Sequence, residues 1–314
     1  MVTLSDIEQA SARLQNIVHR TPVLTSQALN AWTGAELFLK CENFQKVGAF
    51  KYRGASNAIT QLDDKALAKG VCTHSSGNHA QALALAARGR GVPAYIVMPT
   101  SAPKVKRDAV IGYGATVIDC APTLEARETT ADEVVARYGA TFIHPYDHPD
   151  IIAGQGTAAY ELLQDYPNLD AIIAPVGGGG LMSGTAIAAK GINPAIRVFG
   201  AEPKGADDAY RSFKAGKLLL QEGPDTFCDG LLTSLGELTW PIIRDNLEAV
   251  LLADDNEILE ALRLIWSRMK IIIEPSCATP VAALRKHLGA SKLEGKKIGV
   301  ILSGGNVDLD ALPW

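Results

Sequence analysis

The sequence predicts an α/β protein in two lobes, each a parallel-type twisted sheet flanked by helices. Two observations carry that prediction. From about residue 70, short apolar runs alternate with helical stretches of roughly 10–15 residues, the pattern of βαβ units. A second block of the same kind begins at AIIAPV (171–176), and in both blocks Gly, Ser or Asn clusters follow a strand, where α/β proteins usually bind ligands. The expected division is a large lobe of residues 1–69 with 148–314 and a small lobe of residues 70–147, with a cleft between them.

The elements follow in order. Ser5 with Glu8 reads as a capping box opening a surface helix. VCTHSS (71–76) reads as a strand end, and NHAQALALAARGRG (78–91) as an Ala-rich helix closed by glycine, with GRGVP (89–93) as the break. AYIVMP (94–99) is a buried strand, followed by a basic helix around 103–110. TVIDC (116–120), a helix through 125–138 and TFIHP (141–145) complete the first block. In the second, AIIAPV leads through four glycines into the helix LMSGTAIAAKG (181–191). RVFGAEP (197–203) and IGVILSGG (298–305) are further buried strands, with helices near 256–269 and 275–288 between them.

Composition narrows the function. The 314 residues carry 30 Lys+Arg against 34 Asp+Glu, a net charge of −4, which disfavours nucleic-acid binding. No apolar run approaches the roughly 18–20 residues that span a bilayer, and the N-terminus lacks the features of a secretory signal, so a cytoplasmic protein without membrane association is expected. Five scattered cysteines (41, 72, 120, 228, 277) suit neither a disulfide scaffold nor a cysteine metal cluster and read as small buried hydrophobes. HExxH, GxSxG, the Walker A pattern and a strict GxGxxG are all missing from the chain, so their usual enzyme classes lose support.

Four segments carry chemistry. Gly177, Gly178, Gly179 and Gly180 stand between a strand and a helix, where missing Cβ atoms and the helix dipole suit a phosphate; a flexible turn is the competing explanation. In GAFKYRGA (48–55), Lys51 sits among small and aromatic neighbours; burial would lower its pKa toward the range for imine chemistry, although an ordinary helix-face lysine fits the local pattern too. Ser75, Ser76, Gly77, Asn78 and His79 form a strand-to-helix turn able to bind a carboxylate, or a plain N-cap. Ser303, Gly304, Gly305 and Asn306 close the last buried strand.

Together these segments make the chain resemble the fold-type II pyridoxal-phosphate enzymes, in the branch of serine racemases and serine/threonine dehydratases, 3-hydroxyaspartate dehydratases included. The resemblance runs almost end to end, through HRTPVLTS (19–26), KCENFQKVGAFKYRGA (40–55), THSSGNHAQA (73–82), HPYDHPDIIAGQGTAAYE (144–161), PVGGGGLMSG (175–184), AEPKGADDAYRS (201–212), RMKIIIEPS (268–276) and LSGGNVDL (302–309). It implies pyridoxal 5'-phosphate as cofactor, with the larger lobe binding it and the smaller binding substrate. By the same resemblance Lys51 is the Schiff-base lysine and acid/base, Phe50 packs against the ring, and Asn78 bonds its 3′-oxygen. Gly177, Gly178, Gly179 and Gly180 hold the phosphate, and Ser303 meets the pyridine nitrogen. A hydroxyl there makes the ring a milder electron sink than a carboxylate would, which suits β-elimination.

The resemblance further implies that Ser75, Ser76, Asn78 and His79 cradle the substrate carboxylate. Ser76 matches the position facing the substrate opposite the lysine, where a second acid/base would allow racemisation; carboxylate binding alone is the alternative. Arg127 matches an arginine near the ligand carboxylate, although a helix arginine is commonly just solvated. Glu202 and Asp208, with the Ala206 carbonyl, match the ligands of a divalent-cation site; all-oxygen donors suit Mg²⁺, Mn²⁺ or Ca²⁺, and a surface acidic cluster is the alternative. Ser276-Cys277 stands where relatives commonly carry a small residue, which places a thiol close to the pyridine side.

The implied activity is a dehydratase (ammonia-lyase) converting a β-hydroxy amino acid such as serine, threonine or 3-hydroxyaspartate to a 2-oxo acid and ammonia, in a homodimer. Serine racemase activity with side dehydration is the alternative. An inactive ligand-binding relative on the same fold is the rival from a different class; the joint presence of Lys51, Asn78, the four glycines and Ser303 argues against it.

Overall fold

The computed structural model describes residues 1–102 and 104–313. Its strands are β1 (Val23–Leu24), β2 (Glu36–Cys41), β3 (Val71–His74), β4 (Ala94–Pro99), β5 (Thr116–Cys120), β6 (Thr141–Phe142), β7 (Ala171–Pro175), β8 (Arg197–Pro203), β9 (Ala249–Ala253) and β10 (Lys297–Leu302). They form two sheets, ordered β1-β2-β10-β7-β8-β9 and β5-β4-β3-β6. Every pairing is parallel except the antiparallel edge pair β1–β2.

Strand periodicity explains why the central runs are apolar on both faces. Successive side chains point to opposite faces, so a strand covered by helices on both sides must be hydrophobic at every position. In β2, Leu37, Leu39 and Cys41 enter one cluster of the core and Phe38 the other; in β7, Ala171 and Ile173 enter the first and Ile172 and Ala174 the second. The smaller sheet repeats the arrangement, with Ile96 and Met98 on one face and Val97 on the other. Helix Lys51–Thr60 contributes Ala55, Ala58 and Ile59 to the cluster of the smaller sheet.

The expected strands at 94–99, 116–120 and 197–203 have the anticipated bounds. The Ala-rich helix spans Asn78–Arg90 and ends on Gly91 in the left-handed region at φ 66°. The first helix departs from expectation: it runs Leu4–Leu14 and is capped by Thr3 with Asp6, not by Ser5 with Glu8. Both pairs satisfy the same four-residue pattern, and the chain takes the earlier one. The basic helix spans Lys104–Gly112, and Pro103, at its expected start, lies outside the described residues. All five cysteines are free and buried.

Candidate active site

A cleft of about 370 Å³ gathers residues from the ends of β3, β7 and β10. Its central element is helix Lys51–Thr60. The segment before that helix is laced to the end of β10: Ala49 bridges Gly304, the Phe50 N–H donates to the Ser303 carbonyl at 3.0 Å, and the Gly305 N–H donates to the Gly48 carbonyl at 2.9 Å. Main-chain pairing therefore brings Lys51 beside Ser303. The Lys51 Nζ donates to the Pro145 carbonyl at 2.8 Å and lies 5.3 Å from the centre of the Phe50 ring. Burial lowers its pKa to about 8, against the opposing charge of Glu274.

Asn78, first residue of its helix, is held on two sides. Its Nδ2 donates to Glu274 Oε1 and Oε2 at 3.0 and 3.1 Å, and its Oδ1 accepts from Asn306 Nδ2 at 2.8 Å. Burial pushes the Glu274 carboxyl up to about 7, although the bond from Asn78 pulls it down. Sequence reasoning misses Glu274 as a site residue and gives Asn306 no role.

The four glycines link β7 to helix Gly180–Ile192. Gly179 lies at φ 89°, and a Cβ on Gly178 would stand 2.3 Å from atoms of the Tyr146 ring. Only glycine fits under that ring, and the bare main chain at a helix N-terminus makes an anion cradle. Tyr146 is a second residue that sequence reasoning misses.

The turn after β3 presents Ser75, Ser76 and Gly77 to the cleft. Its capping residue is Gly77, which makes no side-chain cap, so the first amides of helix Asn78–Arg90 are available to a ligand. His79 also lines the cleft, but its ring is buried and turned toward the Ile143 carbonyl, with Nε2 at 3.4 Å. Burial foremost, and then the Lys51 charge, hold it well below the usual histidine range. Arg127 lines the cleft with its Nε buried and unpartnered. Cys277 lies in the core against Ser303, and Ser276 is the member of that pair that lines the cleft, its Oγ accepting from the Gly230 N–H at 3.0 Å.

Glu202, Ala206 and Asp208 lie outside the cleft lining, at the end of β8, in the turn after it and at the start of helix Asp208–Ala215. Glu202 accepts from the Ala209 and Tyr210 amides at 3.1 and 2.8 Å; Asp208 Oδ2 accepts from the Leu235 amide at 2.9 Å, and its Oδ1 is buried without a partner. Burial raises both carboxyls, Asp208 to about 6 and Glu202 well above its usual range, with Asp208 adding repulsion on Glu202. Among the described residues no three His, Cys, Asp or Glu side chains are grouped to hold an ion. Two carboxylates, one of them with an orphaned oxygen, nonetheless fit a hard cation completed by main-chain carbonyl and water.

The model of the pyridoxal-phosphate dependent enzyme family matches residues 14–304, a span that takes in every group described in the cleft except Asn306. The chain belongs to that family. Within it, the chain is 53% identical over 313 residues to a protein described as serine racemase from Dictyostelium discoideum, covering 99% of this chain and 97% of that one. The crystal structure of the Dictyostelium protein superposes with a TM-score of 0.94 at 54% identity, covering 98% of this chain and 99% of that one. The chain is 50% identical over 312 residues to a β-hydroxyaspartate dehydratase of Paracoccus denitrificans, covering 99% and 98%. It is 47% identical over 309 residues to the L-threo-3-hydroxyaspartate ammonia-lyase of Saccharomyces cerevisiae, covering 98% and 94%. Membership makes this a fold-type II pyridoxal-phosphate enzyme. Among the described residues no helix is long and apolar enough to cross a membrane.

Proposed function

We propose that the protein is a pyridoxal-phosphate-dependent ammonia-lyase that removes water from a β-hydroxy amino acid (serine, threonine or 3-hydroxyaspartate), the product hydrolysing to a 2-oxo acid and ammonia. The observation that carries this is the placement of Lys51: a lysine with its pKa lowered to about 8, pinned to the Pro145 carbonyl in the same cleft as the glycine loop and Ser303. The cleft fits the cofactor, because the bare main chain of Gly177, Gly178, Gly179 and Gly180 at a helix N-terminus is suited to accept a phosphate. Bound pyridoxal phosphate supplies an electron sink for the substrate's α-carbon. Lys51 Nζ, neutral in a usable fraction near pH 8, takes the α-proton. Phe50 packs beside the ring, Asn78 is oriented toward it by Glu274 and Asn306, and Ser303 meets the pyridine nitrogen.

The turn Ser75, Ser76, Asn78 and His79 binds the substrate carboxylate, His79 through its main chain because its ring is turned to Ile143. Arg127, with its unpartnered buried Nε, is suited to a second carboxylate, which favours 3-hydroxyaspartate among the candidates. Racemisation is the second reading: Ser76 lines the cleft as the proton carrier for the other face, and a serine racemase stands among the relatives. Glu202, Ala206 and Asp208 form a divalent-cation site of structural or activating role, supported by the orphaned Asp208 Oδ1.

The same proposal includes a cytoplasmic homodimer and the division into residues 1–69 with 148–314, binding cofactor, and 70–147, binding substrate. Two separate sheets support that division. Ammonia release from L- and D-serine, L-threonine and the 3-hydroxyaspartate isomers tests the activity. Release from at least one of them, dependent on pyridoxal phosphate, is expected; release from none of them overturns the proposal.

A further inference from the structure

Four charged side chains are buried together beneath the helix that begins at Lys51. Arg53, Lys40 and Glu42 are 0% exposed and Glu161 is 6% exposed. The Arg53 guanidinium forks onto both carboxylates: Nε and Nη2 donate to Glu42 at 2.8 and 2.9 Å, and Nη1 and Nη2 donate to Glu161 at 2.8 and 2.9 Å. Nη1 also donates to Thr157 Oγ1 at 3.1 Å. Lys40 Nζ donates to Glu161 at 2.6 Å and to the Thr21 carbonyl at 2.7 Å, and the Thr21 hydroxyl donates to Glu42 at 2.5 Å.

Stability alone does not account for such a group. Buried ion pairs lose much of their attraction to desolvation, and apolar residues of similar volume often serve as well. What a planar fork between two carboxylates does supply is a fixed direction. Here that direction joins three parts of the cleft. Arg53 lies two residues after Lys51, about 200° around the helix, so it anchors the side away from Lys51. Glu42 follows β2, the neighbour of β10, which leads to Ser303. Thr157 and Glu161 belong to helix Pro149–Asp165, which the chain enters just after Pro145, the acceptor for Lys51 Nζ. The two helices touch closely: the Gly54 N–H donates to Gln155 Oε1 at 3.1 Å, and a Cβ on Gly154 would stand 2.7 Å from Gly54 Cα.

We infer that Arg53, bridging Glu42 and Glu161, is a positioning residue that sets Lys51 Nζ against the Pro145 carbonyl in the cleft that Ser303 also lines. The inference rests on the assignment of Lys51 as the cofactor lysine. Arg53→Lys keeps the charge and loses the fork, Glu161→Gln keeps the shape and loses one charge, and Thr157→Val removes one bond from Arg53 together with the hydroxyl's own bond to the Gly154 carbonyl. Ile258→Ala, in a core cluster of the large sheet to which neither helix contributes, serves as a destabilised control.

Three quantities are measured: the rate at which apoprotein forms its covalent adduct with pyridoxal phosphate, trapped by borohydride, and kcat and KM of the holoenzyme. Arg53→Lys and Glu161→Gln are expected to slow adduct formation at least tenfold and lower kcat similarly, with KM within twofold of wild type. Thr157→Val is expected to slow adduct formation two- to fivefold, and it decides the matter if the other two do not fold. Adduct rates equal to wild type, or slowed no more than in Ile258→Ala at matched loss of melting temperature, overturn the inference. If wild-type protein forms no adduct at Lys51, the assignment of that lysine fails instead.

Discussion

The side-chain amide of Asn78 donates to both carboxylate oxygens of Glu274, at 3.0 and 3.1 Å, so a residue expected to meet the cofactor is oriented by a buried acid. Burial raises the pKa of that acid to about 7. A carboxyl raised in the folded state stabilises the fold while protonated. Its contribution is complete below the ordinary carboxyl range and is lost as pH rises toward about 7.

Glu274→Gln therefore removes a pH dependence. Wild-type turnover is expected to change through about pH 7, and the variant to be flat there, with the Lys51 limb near pH 8 retained. Glu274→Ala leaves the Asn78 side-chain and Asn306 main-chain donors unpaired, at a cost of about 1–3 kcal/mol each. A pH–rate profile of both variants checks this, and an unchanged limb near pH 7 in Glu274→Gln contradicts it.

Asp208 and the proposed cation are tested together. Chelation is expected to lower the melting temperature or the activity, and Asp208→Ala to imitate chelation and to be insensitive to it. Melting curves with and without chelator, alongside elemental analysis, give the answer. No bound ion together with no chelator effect excludes the site.

Ser76 separates elimination from racemisation. Elimination needs one proton abstraction, assigned to Lys51, whereas racemisation needs a donor on the opposite face. Ser76→Ala is expected to lose interconversion of L- and D-serine and keep measurable elimination. Its KM should rise roughly two- to twelvefold for one lost neutral hydrogen bond of about 0.5–1.5 kcal/mol. Chiral chromatography in D₂O beside 2-oxo acid formation measures both, and undiminished racemisation removes Ser76 from the role.

Arg127 bears on substrate choice. Arg127→Met is expected to raise KM for 3-hydroxyaspartate at least tenfold and leave KM for serine within about threefold, since only the first has a second carboxylate to lose a charged partner. Equal effects on the two substrates contradict that role.

The strand at 94–99 is legible in the sequence because a central strand covered on both faces leaves an apolar run, and 197–203 because its interior is nearly as apolar; 116–120, at a sheet edge with Thr116 and Asp119 exposed, is legible from its β-branched residues between two helices. β2 does not stand out, and its Lys40 shows why: a buried lysine in an ion-pair group looks, in sequence, like a surface residue. The first helix starts two residues earlier than expected because Thr3–Asp6 and Ser5–Glu8 offer the same capping pattern. Lys51, Asn78, Ser303 and the glycines are legible from their motifs and meet in one cleft. Glu274 is not, because its importance comes from contact with a residue 196 positions away.

The central claim is that Lys51 is the lysine that holds pyridoxal phosphate. The most direct measurement is borohydride reduction of the holoenzyme followed by proteolysis and mass spectrometry. A reduced pyridoxyl-phosphate group on the peptide containing Lys51, and none in Lys51→Ala, is the predicted result. The group on a different lysine, or no group on wild-type protein, would contradict it.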